Sequence, residues 1–321
     1  MVVPAAHVPV LLNRCVQLLA DPGDSVVVDA TLGLGGHSEA ILRAYPKATV
    51  LGLDRDPEAL AFSRQRLLPF GSRFVAAATV FDESDSVLDE LGLGKPVGYL
   101  FDLGVSSLQL DRDDRGFSYS RNTRLDMRMD PTTGITAEQV VNDYTPEDLS
   151  RVFFKYGEER YARRIAGAID RRRQGERIVT SDQLTDVIRS AVPSERRRKG
   201  HPGKRVFQAL RIEVNDELGS LARGLTAAVH RLAVGGNLVV MSYHSLEDRM
   251  VKRAFASGLN PPTLPGLPVI PDHAKPFLTP LTRGAEPASE EEIESNGRAS
   301  SVRLRAVRKV AATPSDWQAA V

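Results

Sequence analysis

The sequence predicts an α/β fold, a twisted and mostly parallel sheet with an all-helical domain inserted after the fourth strand. Short apolar runs alternate with helical patterns over the first hundred residues. From about residue 108 to residue 206 the chain is polar with helical periodicity, and apolar strand character returns only near residue 236. We therefore expect a discontinuous sheet domain (residues 1–107 and 207–321) and an inserted helical domain (residues 108–206).

The first strand is predicted at residues 26–28, a run of valines typical of a buried parallel strand, and Asp29 ends it. Gly33, Gly35 and Gly36 follow and permit a tight turn before a helix that begins near Gly36. The N–H groups at a helix start favour an anionic ligand group. This stretch predicts a ligand-binding loop at one edge of the sheet.

The second strand is predicted at residues 49–53 and is followed by Asp54, whose carboxylate can accept hydrogen bonds from both hydroxyls of a ribose. A dinucleotide fingerprint requires G-x-G-x-x-G, but Ser38 stands at the third glycine position. The pattern G-x-G-G after a strand-closing acid is instead typical of S-adenosylmethionine (SAM) sites. For the glycines alone, an ordinary tight turn is the alternative.

The later elements follow in order from the same patterns. Strands are predicted at residues 73–77, 97–102 and 236–243, with an antiparallel closing strand within residues 300–308. Helices are predicted at residues 57–68, 81–91, 162–173, 181–191 and 217–232, with Ser181 as a helix cap. Eight of the 20 prolines lie between residues 258 and 287 and predict a surface loop. The last dozen residues are expected to fray.

Composition limits the class of protein. The chain has 321 residues and a single cysteine, Cys15, which excludes an intrachain disulfide and a cysteine-cluster metal site. Cys15 is expected to be a small core residue, and no metal site is predicted. No signal peptide and no apolar run of the ~20 residues that a membrane span needs are found. We expect a cytoplasmic protein with no membrane partner.

Charge is unevenly distributed along the chain. The formal net charge is +1, yet residues 151–211 hold 17 Lys and Arg residues against 7 Asp and Glu residues. Such a basic segment favours a polyanionic partner, and arginine is well suited to bind phosphate. A solvated loop is the alternative. The predicted nucleic-acid contacts are the six cations between residues 196 and 205: Arg196, Arg197, Arg198, Lys199, Lys204 and Arg205.

Eight motifs in order give the chain a family resemblance from near His7 to about Arg308. They are His7-Val-Pro-Val-Leu-Leu12, Gly35-Gly-His-Ser38, Leu53-Asp-Arg-Asp-Pro57, Asp102-Leu-Gly-Val-Ser-Ser107, Leu125-Asp-Met-Arg-Met-Asp130, Tyr156-Gly-Glu-Glu-Arg160, Phe207-Gln-Ala-Leu-Arg-Ile212 and His244-Ser-Leu-Glu-Asp-Arg249. With them the chain resembles the bacterial RsmH/MraW family of SAM-dependent methyltransferases, which modify N4 of a cytidine in the decoding (P-site) region of 16S rRNA. It departs from the family pattern at Asn13, Val234 and Tyr243.

The resemblance implies a Rossmann-like SAM-dependent methyltransferase sheet, SAM as cofactor and 16S rRNA, within the small ribosomal subunit, as partner. The SAM-binding positions that it implies are Gly35, Gly36, His37, Asp54, Phe81, Asp102 and Gln109. Asp102 is also the candidate catalytic residue, as an acceptor for the N4–H bonds of cytosine. Ser106, Ser107 and His244 are candidate pocket residues. For Phe81 and His244, core packing and helix-start packing are the respective alternatives.

Other functions remain open from the residues themselves. The chain could methylate another nucleic-acid amine, or it could be a non-catalytic RNA-binding protein of ribosome assembly. An NAD-linked oxidoreductase is disfavoured by Ser38. The sequence also leaves the oligomeric state open, a homodimer included.

Overall fold

Seven strands form one mixed sheet in a computed structural model of the chain, which describes residues 8–106, 109, 115–118, 122–193, 201–261 and 275–319. The strands are β1 (Val26–Asp29), β2 (Thr49–Asp54), β3 (Phe74–Ala78), β4 (Gly98–Asp102), β5 (Asn237–Ser242), β6 (Leu278–Pro280) and β7 (Arg303–Lys309). Their spatial order is β3-β2-β1-β4-β5-β7-β6. Strands β1 to β5 pair in parallel, while β7 is antiparallel to both β5 and β6.

Twelve α-helices lie in the described ranges. They are α1 (Leu12–Leu19), α2 (Gly36–Ala44), α3 (Pro57–Leu67), α4 (Ser84–Glu90), α5 (Ala137–Asp143), α6 (Pro146–Gly157), α7 (Ala162–Arg173), α8 (Ser181–Ala191), α9 (Lys204–Asn215), α10 (Glu217–Arg231), α11 (Ser245–Leu259) and α12 (Glu290–Ser295). None of the helices in this part of the chain combines the length and the apolar composition that a membrane crossing needs.

The chain divides into two compact units. Unit 1 comprises residues 1–104 and 218–321 and contains the sheet, while unit 2 comprises residues 105–217. The described secondary structure of unit 2 is almost wholly helical, because α5 to α9 lie within it. An α/β sheet with a helical insertion after β4 is therefore confirmed. The sequence predicted an inserted domain of residues 108–206, and unit 2 covers residues 105–217.

Both faces of the sheet are covered, as the unbroken apolar strands predict. Successive side chains of a strand point to opposite faces. In β4, Tyr99 and Phe101 pack with α10 and α11, whereas Leu100 joins the cluster that holds α1, α2 and α3. Cys15 belongs to the second cluster and is fully buried, with its Sγ 3.6 Å from Met241 Sδ, as expected for a small core residue.

Unit 2 has a hydrophobic core of its own. Its helices α5 to α9 each bury an apolar stripe in one cluster, which includes Val152, Ile165, Ile188 and Leu210. The predicted cap of α8 is wrong by one residue. Thr180 is the N-cap and exchanges hydrogen bonds with Gln183, while the Ser181 hydroxyl instead accepts a hydrogen bond from the backbone N–H of Thr123, 3.0 Å away.

Two expectations for the carboxyl-terminal region need correction. The predicted closing strand is β7, but it is not the edge, because β6 pairs with its outer side. The expectation that the last dozen residues fray is also wrong for residues 310–319, the part of that stretch that the structure describes. The indole Nε1 of Trp317 donates to Ser257 Oγ at 3.0 Å, its ring packs edge-on against Phe277, and Ala319 N donates to Thr226 Oγ1 at 3.0 Å.

Candidate functional site

Asp29 closes β1 with a carboxylate that is almost completely buried. Its Oδ2 accepts a hydrogen bond from Ser38 Oγ at 2.6 Å, and its Oδ1 accepts one from Thr31 N at 3.3 Å. Burial raises the pKa of Asp29, because the charged form loses its hydration. Ser38, which replaces the third glycine of the dinucleotide pattern, thus ties the first turn of α2 to the end of β1.

The glycine loop needs glycine for conformation at two positions and for space at a third. Gly33 and Gly35 have φ values of 51° and 76°, a region that L side chains rarely adopt. At Gly36 a Cβ atom would lie 2.4 Å from the Cγ of Pro9. The absence of a Cβ at Gly36 therefore lets the chain near Pro9 pack against the loop.

The start of α2 presents backbone donors. In the described part of the chain no side chain caps this helix, and its first closing hydrogen bond runs from Glu39 N to Gly35 O. The N–H groups of residues 36–38 precede that bond and have no partner within the helix. The loop therefore offers a place where an anionic group such as a carboxylate can bind.

Asp54 at the end of β2 is bound to the same loop. Its Oδ2 accepts a hydrogen bond from Gly33 N at 2.7 Å, and its Oδ1 accepts one from Asp56 N at 2.9 Å. Burial raises the pKa of Asp54 to about 6, although these backbone hydrogen bonds act in the opposite direction. Each oxygen of a carboxylate has two lone pairs, so both can accept one further hydrogen bond from a ligand hydroxyl.

The imidazole of His37 is buried and lies near two groups, the carbonyl oxygen of Val10 and the carboxylate of Asp102. Its Nε2 lies 3.0 Å from the carbonyl oxygen of Val10, which can only accept, so Nε2 carries the proton. Its Nδ1 lies 3.8 Å from Asp102 Oδ2, within ion-pair reach but beyond a hydrogen bond. The ring is therefore hydrogen-bonded to the chain near Val10 and lies beside the end of β4, in addition to any contact made by the His37 backbone.

Asp102 ends β4 and is held from two sides. Its backbone N donates to Thr31 Oγ1 at 2.6 Å, and its Oδ1 accepts a hydrogen bond from the Tyr243 hydroxyl at 2.6 Å. Asp102 Oδ2 accepts no hydrogen bond from the residues that the structure describes, and a quarter of the side chain is exposed. Asp102 Oδ2 is thus the oxygen that can accept a hydrogen bond from an incoming group.

Tyr243 is the contact that sequence reasoning missed. In the sequence, Tyr243 stands out only as a departure from the family pattern, but its hydroxyl donates a short hydrogen bond to Asp102. Burial, together with the Asp102 charge and this hydrogen bond, raises the pKa of Tyr243, so its hydroxyl stays protonated and remains a donor. A tyrosine directly after a strand whose neighbour ends in an acid was the available signal.

The packing of Phe81 partly matches the alternative of a core aromatic residue. Its ring lies edge-on to Phe101, with 5.4 Å between the centroids. A Cβ at Gly224 on α10 would lie 2.4 Å from Phe81 Cδ2, so the ring sits against the bare backbone of that helix. Phe81 is only half-buried, which leaves part of the side chain exposed for a ligand.

Other candidates have local partners. His244 is the N-cap of α11, and its Nδ1 accepts a hydrogen bond from Glu247 N at 3.3 Å, which is the helix-start role named as its alternative. Gln109 belongs to unit 2 and is buried, with its Oε1 accepting a hydrogen bond from Ser106 N at 3.0 Å. Ser107 lies outside the described residues.

The basic cluster is only partly described. Arg196, Arg197, Arg198 and Lys199 lie outside the described residues. Lys204 is exposed at the first turn of α9, and the next residue, Arg205, donates from Nη1 to the carbonyl oxygen of Glu158 at 2.8 Å. Lys204 and Arg205 therefore belong to unit 2, close to the end of α6.

The arrangement fits a nucleoside cofactor with a charged amino-acid tail. Asp54 offers acceptors for ribose hydroxyls, the start of α2 offers donors for a carboxylate, and Asp102 Oδ2 offers an acceptor near the end of β4. These three features follow β1, β2 and β4, which are neighbours in the sheet. Ligands of open α/β sheets bind outside the carboxyl ends of such strands.

The family model described as the MraW methylase family matches residues 4–310 of the chain. A relative from Streptomyces avermitilis, "Ribosomal RNA small subunit methyltransferase H", is 53% identical over 309 residues, which cover 95% of this chain and 97% of the relative. A relative of the same name from Parafrankia sp. is 55% identical over 313 residues, covering 96% and 95% of the two chains. A solved rRNA methylase from Streptococcus thermophilus aligns with 94% of each chain, at 13% identity and a TM-score of 0.39.

Proposed function

The chain belongs to the MraW methylase family, and we propose that it is a SAM-dependent methyltransferase that modifies N4 of a cytidine in the decoding (P-site) region of 16S rRNA. The methyltransferase activity on small-subunit rRNA follows from the family and from the relatives at 53–55% identity. The observation that carries the site is the Asp54 carboxylate, which is bound to the glycine loop through Gly33 N and keeps acceptor capacity on both oxygens.

We propose SAM contacts at seven positions. Asp54 accepts hydrogen bonds from the ribose hydroxyls, and the backbone N–H groups at the start of α2 bind the methionyl carboxylate. The half-buried ring of Phe81 offers a face for adenine. Asp102 Oδ2 faces the methionyl amino group or the target amine, and the family resemblance adds Gln109 as a further contact. The proposed set is Gly35, Gly36, His37, Asp54, Phe81, Asp102 and Gln109.

The residues of the chain need to contribute little chemistry of their own to the methyl transfer. SAM, when bound, supplies a methyl group on a sulfonium, which is attacked by an amine. Cytosine N4 is a weak nucleophile because its lone pair is delocalised into the ring, so an acceptor on an N4–H bond raises its reactivity. Asp102 Oδ2, which accepts no hydrogen bond from the described residues, is the proposed acceptor of that hydrogen bond and takes the proton as the N–C bond forms. Holding both reactants in position supplies much of the remaining acceleration.

Removing the Tyr243 hydroxyl tests how Asp102 is oriented. In Tyr243→Phe the carboxylate loses its 2.6 Å donor and gains rotational freedom. We expect turnover to fall by roughly 2- to 13-fold, which corresponds to one net hydrogen bond of roughly 0.5–1.5 kcal/mol. SAM and RNA affinities should stay near those of the wild type, measured by calorimetry and filter binding. Unchanged turnover at saturating substrates would mean that Asp102 keeps its orientation without Tyr243.

The basic cluster is proposed as an RNA contact. Replacing Arg196, Arg197, Arg198 and Lys199 with alanine should weaken binding to the ribosomal substrate several-fold or more. Because each lost phosphate contact releases fewer counterions, the slope of log affinity against log salt should flatten by roughly 0.7–0.9 per contact. SAM affinity, measured by calorimetry, should not change. If RNA affinity and salt slope both match the wild type, the cluster is a solvated loop.

The proposed partner is 16S rRNA within the small ribosomal subunit, which places the enzyme in the cytoplasm. The proposed SAM contacts all come from a single chain, whether the enzyme is a monomer or a homodimer. The test is to incubate small subunits that lack the modification with methyl-labelled SAM and to map the labelled nucleotide. Label at N4 of a decoding-region cytidine supports the proposal. Label on another amine would favour a different target, and no label with bound RNA would favour a non-catalytic assembly protein.

A further inference from the structure

A second basic surface, rich in aromatic side chains, lies where α6 ends and α7 begins in unit 2. We call residues 154–164 the α6–α7 corner. Phe154 is 70% exposed and is the only aromatic among the exposed large hydrophobic residues of the described ranges. It projects from α6 next to Phe153, which is completely buried. A phenylalanine this exposed is not explained by the core of unit 2.

The exposed charge of the corner is strongly positive. The corner carries four exposed cations: Lys155, Arg160, Arg163 and Arg164. None of them forms an ion pair with a carboxylate in the described part of the chain. The corner has two acids, but Glu159 is buried, with its Oε1 accepting a hydrogen bond from Tyr161 N at 2.9 Å. Glu158 is thus the one exposed acid of the corner.

Many arginines elsewhere in the described part of unit 2 are neutralised locally. Seven of them have an acid within ion-pair distance: Arg128 with Asp126, Arg151 with Asp148, Arg172 with Glu176, Arg173 with Asp170, Arg177 with Asp143, Arg189 with Asp186 and Arg211 with Glu217. The run at residues 171–173, which the sequence marks as basic, is therefore partly compensated. The positive charge of the corner is not, and it remains available for a polyanion.

Two cations of the corner lie over aromatic rings. Lys155 Nζ lies 5.0 Å from the centre of the Tyr156 ring, and the Arg164 guanidinium carbon lies 5.9 Å from that of Tyr161. Both tyrosines are half-buried against the core of unit 2, so the rings are fixed supports. Aromatic faces beside cations are the usual platform for unstacked bases with their phosphates.

The start of α9 extends the same surface. Arg205 Nη1 donates to the carbonyl oxygen of Glu158, and a Cβ at Gly157 would lie 2.6 Å from the Arg205 carbonyl oxygen. The absence of a side chain at Gly157 therefore lets α9 begin directly against the corner. Exposed Lys204 adds a further cation there.

We propose that the α6–α7 corner binds a single-stranded segment of the rRNA substrate, with a base stacked on Phe154 and phosphates bound by Arg160 and Arg163. This proposal rests on the proposed function, because it assumes an RNA substrate. It adds a stacking site to an interface that the sequence marked only by charge. An exposed phenylalanine on a corner that also carries unpaired exposed cations fits a nucleic acid better than it fits an apolar protein partner.

The test uses the full chain with three probes: small subunits that lack the modification, protein-free 16S rRNA, and inorganic polyphosphate, which has charge but no bases. Phe154→Ala should weaken both RNA-containing probes by roughly 5-fold or more, as loss of one stacked base does, and leave polyphosphate binding unchanged. The double variant Arg160→Ala with Arg163→Ala should weaken all three and flatten the salt slope. Matched controls are Ile135→Ala, an exposed apolar residue, and Arg177→Ala, a paired arginine.

The possible outcomes distinguish a failure of this inference from a failure of the proposed function. If wild-type enzyme methylates the subunits but Phe154→Ala binds protein-free rRNA normally, the stacking site is wrong and the proposed function stands. If Phe154→Ala weakens binding to subunits alone, Phe154 contacts a ribosomal protein and the inference is also wrong. If the wild type neither binds nor methylates RNA, the proposed function itself has failed.

Discussion

Asp54→Ala should abolish most of the affinity for SAM while the sheet stays folded. The substitution removes the carboxylate that we propose accepts hydrogen bonds from two ribose hydroxyls, and it also releases Gly33 N from its 2.7 Å hydrogen bond. Losing two charge-assisted hydrogen bonds should cost roughly 2–4 kcal/mol, a roughly 30- to 1000-fold weaker dissociation constant. Calorimetry with SAM measures this directly, with circular dichroism as the check on folding.

Asp56→Ala is the matched control, since this neighbouring acid is fully buried and caps α3 through Glu58 N. It should lower the free energy of unfolding by about 1 kcal/mol and leave SAM affinity unchanged. SAM affinity that stays normal in a folded Asp54→Ala variant would contradict the ribose assignment.

The same carboxylate predicts a pH dependence. Burial raises the pKa of Asp54 to about 6, so the carboxylate is mostly ionised above that pH and increasingly protonated below it. Only the ionised form accepts hydrogen bonds with both oxygens, so wild-type SAM affinity should fall as the pH drops through about 6. Asp54→Asn should bind more weakly throughout and lack this dependence. An equal pH dependence in the asparagine variant would assign the titration to another group.

Asp102→Asn should reduce turnover far more than RNA affinity. Asparagine can still accept the Tyr243 hydrogen bond, but it cannot take a proton from the target amine. We expect kcat to fall by roughly 100-fold, at the lower end of the usual range for a positioned acid or base. If Asp102 also binds the methionyl amino group, SAM affinity should fall in parallel.

Single-turnover rates with saturating SAM and RNA isolate the chemical step from binding. Asp89→Asn serves as the control, because this exposed carboxylate pairs with Arg231 on the surface of unit 1. Its rate should equal that of the wild type. A near-normal rate for Asp102→Asn would remove Asp102 from the chemistry.

Much of the sheet could be predicted because its strands are short, apolar and ended by recognisable residues. The acids that end β1, β2 and β4 pointed from the sequence to one edge of the sheet, the edge at which we propose that the cofactor binds. Strand β6 could not be predicted in the same way. It has three residues, lies in a proline-rich stretch and ends in Pro280, a residue that usually argues against a strand.

The contacts that the sequence did not reveal join residues far apart in the chain. Tyr243 and Asp102 are separated by 141 positions, and no local pattern pairs them. Trp317 binds Ser257 across 60 positions, so terminal position alone was a poor guide to order. The glycine pattern correctly predicted a loop, but it did not show that Pro9 packs where a Cβ at Gly36 would lie.

The direct test of the central claim is a crystal structure of the enzyme with S-adenosylhomocysteine. The account predicts the ribose hydroxyls within hydrogen-bond distance of the Asp54 carboxylate, and the amino-acid carboxylate at the first turn of α2. The sulfur atom should lie toward Asp102 at the end of β4. A nucleoside bound elsewhere on the sheet, or a ribose with no contact to Asp54, would contradict the account.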